Sequence, residues 1–254
     1  MTHYLAIETA TDVCSVAVLS GDIVVFEHTL TARRSHSEHL VVMIQQALTY
    51  AGIKVKDLSG IAVSKGPGSY TGLRIGVSVA KGLAFSHNIS LIGVPSLDAL
   101  ATGALPCAEP GAPIIAAFNS RRNEVYLGLF EAGEQAVVPL APVTSLQKDE
   151  IGPFIAAHSR GDKSPLIVGE GAAFVAACLS SAMSEGSVDE DAGDNTPVIV
   201  PIPMLLPSAS VVATMGAARH KTGLQDDTGS FEPYYLNAFI PKARKKSIFD
   251  RLPF

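Results

Sequence analysis

The chain has 254 residues, 47% hydrophobic and 17% charged, with a net charge of −5. That length holds one large domain or two small ones, and the composition excludes a globally disordered chain. The acidic balance excludes a uniformly basic nucleic-acid binder.

In chain order, "YLAIE", "SVAVLS" and "DIVVFEH" are short apolar runs rich in β-branched residues. They read as three strands of an antiparallel meander. Ser35 and Glu38 have capping-box spacing and open a helix to about Tyr50, with Leu40, Ile44, Ala47, Leu48 and Ala51 on its apolar face. "GIAVS" is the next strand. A glycine-rich loop, "SKGPGSYTG", leads into an apolar helix from Tyr70 to Phe85. "SLIGV" closes the set.

"LPCAEPGAP" reads as a linker. After it, "PIIAAFNSRRNEVYLGLFEAGE" repeats the strand-turn-strand layout of the N-terminus without matching residues. A strand "PLIVG", a helix from about Ala172, an acidic loop "SEGSVDEDAGDN", a strand "PVIVP" and a helix from about Ser208 follow. Two units with mixed sheets, each begun by a strand-turn-strand, predict an α/β chain of the actin-like ATPase, ribonuclease-H-like architecture. The predicted division is 1–104, a smaller related domain over 105–230 whose last helix packs back on the first, and a tail over 231–254. This step rests on fold-level analogy.

Cys14, Cys107 and Cys178 form no C-x-x-C pair, which points to a reducing compartment. The N-terminus has no basic stretch before a long apolar core, so no secretory signal is expected. The candidate helix from Tyr70 to Phe85 carries Arg74 and Lys81 and is too short to span a bilayer. A cytoplasmic location is the expectation. The basic run "PKARKKS" near the end reads first as a solvated tail.

The glycine loop lacks the spacing and the lysine of a Walker phosphate cradle. Ser69 and Thr71 still allow a looser anion site at the helix start. Gly68, Gly72, Gly76, Ala80 and Ala84 fall four apart and form one ridge with little side chain. Each interior helical glycine costs about 0.8–1 kcal/mol against alanine, so close packing must compensate. The pattern leaves open whether the ridge meets this chain's own sheet or a helix of another chain.

In nucleotide-binding members of the suspected fold, the first turn carries an acid, then glycine and a hydroxyl residue. The acid there positions a metal-bound water and the backbone N–H groups hold phosphate. Here "ETATD" offers Glu8 and puts Ala10 where glycine is needed, while the second turn has Asn119, Ser120, Arg121 and Arg122. Both turns read as disabled. His36 and His39 have the spacing to share a metal, but no further ligand cluster accompanies them. No G-x-S-x-G nucleophile motif occurs.

"YLAIETATDVCSVAVL", "HSEHLVVMIQQAL", "DLSGIAVSKGPGSYTGLRIGVSVAKGLA" and "LIGVPSLDALA" closely resemble the bacterial TsaB (YeaZ) family. The resemblance is dense over the first hundred residues. It thins through "NSRRNEVYLGLF" and returns in "PSASVVATMGAARH" and "EPYYLNAF". It implies a non-catalytic dimerization subunit of the machinery that makes threonylcarbamoyladenosine next to the tRNA anticodon. The implied partners are the catalytic paralogue TsaD and the ATPase TsaE, with tRNA reached through the complex, no membrane, and a homodimer in isolation left open. No cofactor or metal is implied, because the two metal-binding histidines of TsaD fall here on Ser96 and Leu100. The resemblance places partner contacts at Ser37, Leu40, Val41 and Ile44 of the first helix. It places further contacts at Gly68, Tyr70, Thr71, Gly72, Arg74, Ile75, Gly76, Val79 and Ala80. The competing expectations are a small-molecule kinase or ATPase of the same fold, and a peptidase.

Overall fold

The computed structural model describes residues 1–31, 36–120, 123–159, 163–185, 198–199 and 206–236. The first sheet contains β1 (His3–Glu8), β2 (Val13–Ser20), β3 (Ile23–Thr31), β4 (Gly60–Gly66) and β5 (Ser90–Pro95) in the order β3-β2-β1-β4-β5. The β3-β2-β1 pairings are antiparallel, whereas β1-β4 and β4-β5 are parallel. Helices α1 (His36–Ala51) and α2 (Tyr70–His87) form the crossovers, as parallel neighbours require.

The second sheet repeats this plan. It contains β6 (Pro113–Asn119), β7 (Glu124–Ala132), β8 (Val137–Pro139), β10 (Leu166–Val168) and β11 (Val198–Ile199), with β9 (Thr144–Gln147) pairing β7 beside β8. Its order, β8-β7-β6-β10-β11, matches the first sheet strand for strand, with antiparallel pairs first and parallel pairs last. The weak sequence repeat is therefore a true structural repeat, and the expected actin-like, ribonuclease-H-like class holds.

The other α-helices among the described residues are α3 (Ser96–Ala104), α4 (Lys148–His158), α5 (Ala172–Glu185) and α6 (Ala209–Lys221), the last returning to the first sheet. Period-two alternation sorts the strand residues between faces. Leu5 and Ile7 of β1 pack under α1 and α2, while Tyr4 and Ala6 pack against Ala209, Val212, Ala213 and Ala217 of α6. In β6, Ile114, Ala116 and Phe118 meet Leu97, Leu100, Ala101 and Ala104 of α3, and Ile115 and Ala117 face α5. Helix α3 thus lies between the two sheets. The linker reading at 105–113 holds in part: it opens on a one-turn 3-10 helix, Leu105–Cys107.

Among the described residues, no helix is long and apolar enough to cross a membrane. Ser35, Arg121, Arg122, residues 186–195 of the acidic stretch and the basic run at 241–247 lie outside the described residues.

Candidate functional site

Two places compete for function: the turn between β1 and β2, and the helix α2 beside it. Glu8 ends β1 fully buried, and so are its register partner Ser15 on β2 and Ser64 of β4. Glu8 Oε1 accepts the Ala10 N–H at 2.6 Å, and Thr9 N–H donates to Ser64 Oγ at 3.2 Å. The Ala10 N–H is therefore taken by the turn's own carboxyl. Glu8 Oε2 has no hydrogen-bond partner among the described residues. Burial pushes the Glu8 carboxyl up from 4.5 to about 7, against the opposing pull of the Ala10 N–H, the Ser64 hydroxyl and the Thr9 N–H. The thiol of Cys14 is pushed up to about 11, by burial first and then by the neighbouring Glu8.

The described residues flanking the second turn are also bonded within the chain. Asn119 Nδ2 donates to the Glu170 carbonyl at 3.1 Å, and Ser120 N–H donates to the Glu124 carbonyl at 3.1 Å. Gly171 N–H donates to the Ala117 carbonyl at 3.0 Å, and a Cβ on Gly169 or Gly171 would run into Ala117. These glycines serve packing of the α5 entry on β6.

Ser96 and Leu100 are both buried, in different surroundings. Ser96 Oγ accepts the Gly66 N–H at 3.0 Å, which ties the start of α3 to the glycine loop. Leu100 packs in the core between α3 and the second sheet. His36 is buried with Nε2 3.1 Å from the Val13 carbonyl, while His39 is exposed. Among the described residues, no group of three or more His, Cys, Asp or Glu side chains is placed to hold a metal.

The glycine ridge packs on its own chain. Ser69 caps α2 by accepting the Gly72 N–H at 3.2 Å, and Ser69 N–H donates to the Ala10 carbonyl at 2.6 Å. A Cβ at Gly68 would strike Ala10, at Gly72 the Thr9 carbonyl, and at Gly76 Thr9 Oγ1. Gly72, Gly76, Ala80 and Ala84 are buried on their own chain. Leu40 and Ile44 of α1 are likewise inside the core below that helix. Of the expected contacts, Leu40, Ile44, Gly72, Gly76 and Ala80 are buried and Gly68 is half-buried, and this face packs on the β1–β2 turn and the first sheet.

The other face of the same helices is open. Ser37, Val41, Thr71 and Arg74 are exposed, and Tyr70, Ile75 and Val79 are half-buried. Val41 is 60% exposed and Phe85 82%, large values for apolar side chains. Gly82, an interior helical glycine outside the four-residue ridge, was not among the expected partner contacts. It sits on this face beside Ser78 and Phe85, and a Cβ there would meet nothing within 4 Å among the described residues. Of the three glycines inside α2, it is the one whose position packing among the described residues does not explain.

A segment from residue 224 to 236 borders that face. Asp226 pairs with Leu91 at the β5 edge and accepts the Gly93 N–H at 2.7 Å, and Phe231 packs over Gly93. Lys81 Nζ donates to the carbonyls of Gly229 and Phe231 at 3.1 and 2.8 Å. Tyr234 N–H donates to the Lys65 carbonyl at 2.6 Å, and a Cβ at Gly66, whose φ is +109°, would strike the Tyr234 carbonyl. Tyr235 stacks on Tyr70 at 4.9 Å, and the Arg74 guanidinium lies 4.2 Å over the Tyr70 ring. The site thus adds Lys81, Gly82, Phe85 and Tyr235 to the residues legible from the sequence.

A duplicated ribonuclease-H-like fold with two mixed sheets of matching strand order defines a relative of the actin-like ATPases. The family model described as "TsaD: tRNA N6-adenosine threonylcarbamoyltransferase" matches residues 29–223, so the chain belongs to that family. Within it, the chain belongs to the TsaB (YeaZ) group. It is 37% identical over 148 residues to the tRNA threonylcarbamoyladenosine biosynthesis protein TsaB of Escherichia coli K12, covering 58% of this chain and 63% of that one. The Bacillus subtilis protein of the same name is 39% identical over 127 residues, covering 50% of this chain and 54% of that one. The chain thus spans between half and two thirds of the length of these relatives. The structure described as "YeaZ from Pseudomonas aeruginosa" superimposes with a TM-score of 0.74 at 26% identity, covering 93% of this chain and all of that one.

Proposed function

We propose that this chain is a non-catalytic scaffold subunit in the synthesis of threonylcarbamoyladenosine on tRNA. It binds and activates a TsaD-like catalytic chain, helps a TsaE-like ATPase engage, and meets tRNA through that complex. It works in the cytoplasm and carries no cofactor or metal of its own. Residues 1–104 form the partner-bearing domain, 105–230 the related second domain, and 231–254 the tail.

The observation that carries this reading is the open face of α1 and α2. It presents Val41 and Phe85 to solvent and places Gly82 where a second backbone can approach closely. Ser37, Val41, Tyr70, Thr71, Arg74, Ile75 and Val79 are the partner residues in this reading. The same face pairs two copies when the catalytic chain is absent. The names of the similar proteins supply the pathway.

The test is a reconstituted modification assay. Product is expected only when this chain, the TsaD-like chain, the TsaE-like ATPase and the adenylate-forming enzyme are combined with tRNA. Product from this chain with threonylcarbamoyl-adenylate and tRNA alone would refute the non-catalytic role. Full product in the absence of this chain would refute the scaffold role.

A further inference from the structure

Arg74 is exposed on the open face of α2, yet its side chain is held in place. Its guanidinium lies 4.2 Å over the Tyr70 ring, the Tyr70 and Tyr235 ring centroids are 4.9 Å apart, and Arg74 Nε donates to the Tyr235 hydroxyl at 3.3 Å. Tyr235 is fixed in turn by the segment before it, through the Tyr234 N–H on the Lys65 carbonyl and Lys81 Nζ on the Gly229 and Phe231 carbonyls. We propose that Arg74 is a prearranged clasp for a carboxylate of the TsaD-like chain, and that Tyr235 is the residue that positions it. The inference rests on the scaffold reading for the identity of the partner and adds the chemistry of the contact.

A guanidinium is a flat fork of N–H donors. Here Nε is spent on Tyr235, and among the described residues the Nη donors have no hydrogen bond and Arg74 has no ion pair. Glu232, three residues before Tyr235, is the acid of this chain whose charge reaches Arg74, and it forms no ion pair with it. No acidic residue stands in the first turn of α2 either. Fixing a long exposed side chain costs rotamer entropy, and the two tyrosine rings meet that cost before any partner arrives. A fork with its rotation restrained matches the two oxygens of a carboxylate, where a lysine would offer a single point charge. Ile75, Val79 and Phe85 continue the same face as apolar side chains. A partner packed on them excludes water from Arg74, and a guanidinium cut off from water needs a counter-charge. Nucleic-acid phosphates do not fit this face, because they are gripped by several cations together. Arg74 and Lys81 are the Arg and Lys residues of α1 and α2, and Lys81 is already engaged with backbone carbonyls.

The test is a set of binding isotherms of the full chain against the TsaD-like chain, for wild type, Arg74→Lys, Arg74→Ala, Tyr235→Ala and the Arg74→Ala, Tyr235→Ala double variant. Arg74 is exposed, so its variants are expected to melt like the wild type. Arg74→Lys should weaken binding about tenfold and Arg74→Ala about thirtyfold. Equal binding by wild type and Arg74→Ala overturns the clasp and leaves the scaffold reading standing, whereas failure of the folded wild type to bind overturns both. Tyr235→Ala is expected to weaken binding about fivefold when Arg74 is present and not at all when it is already alanine. An equal loss in both backgrounds overturns the positioning role of Tyr235. A carbodiimide, which joins a lysine amine to a carboxyl in contact with it, reads the partner group. At saturating concentration, position 74 of the Arg74→Lys variant should be joined to an Asp or Glu of the TsaD-like chain. No conjugate at that position, or one with a second copy of this chain alone, overturns the carboxylate assignment.

Discussion

Two glycines on one helix should respond oppositely to the same substitution. Gly76 faces Thr9, so a leucine there must displace the β1–β2 turn or push α2 off the sheet. Overpacking of this kind costs about 1–3 kcal/mol, and the gain in helix propensity returns at most about 1. In a chain of this size each kcal/mol moves the melting temperature by about 2–4 °C. Gly76→Leu should therefore melt several degrees lower. Gly82 has open space around it, so Gly82→Leu keeps the propensity gain and should melt up to about 4 °C higher. Its side chain then stands where a partner backbone approaches, and assembly should weaken tenfold or more, the equivalent of about 1.4 kcal/mol. Thermal melting combined with sedimentation against the TsaD-like chain reads both effects. If Gly76→Leu melts like the wild type, the assignment of the ridge to the chain's own packing is wrong. If Gly82→Leu assembles at wild-type affinity, the open face is not the interface.

Three further outcomes are expected. Val41→Glu puts a charge on the exposed apolar face and should abolish assembly in sedimentation while changing stability by less than about 0.5 kcal/mol; a drop in stability with assembly intact would contradict the face assignment. Lys81→Met removes both hydrogen bonds to the 229 and 231 carbonyls, costs about 1 kcal/mol or more, and should speed limited proteolysis between residues 224 and 236; an unchanged cleavage rate would show that Lys81 does not hold the segment. Because the folded Glu8 pKa is raised from 4.5 to about 7, its stabilising effect is complete below 4.5, declines by about 3 kcal/mol as pH rises to 7, and is level above that; urea titrations across pH should show this slope, and Glu8→Gln should lack it.

Much of the fold was legible because period and punctuation agreed. The runs read from Tyr4, Ser15 and Asp22 became β1–β3. The capping serines at 69 and 208 marked helix starts that the structure keeps. Helices α3 and α4 were not legible, for physical reasons. Helix α3 lies between two sheets and buries Ser96, Leu97, Ala99, Leu100, Ala101 and Ala104, so it has no polar stripe to give it a period. Helix α4 is eleven residues with Pro153 inside it and only Ile151 and Ile155 buried. For the site, the spacing of Gly68, Gly72, Gly76 and Ala80 correctly signalled close approach of a backbone. It could not say whose, because a ridge packed on a turn of the same chain has the same period as one packed on a partner. The deciding fact is tertiary: the Thr9–Ala10 backbone reaches α2 from a strand some sixty residues away in sequence. Gly82 stood out as an interior helical glycine, but its place on the open face depends on what is absent around it.

The measurement that bears most directly on the scaffold account is a binding isotherm between this chain and the TsaD-like chain of the same cell, run with wild type and Val41→Glu. The account predicts saturable one-to-one binding by the wild type and its loss in the variant, with both chains equally folded. Absence of binding by a folded wild-type chain, or equal binding by both, would contradict it.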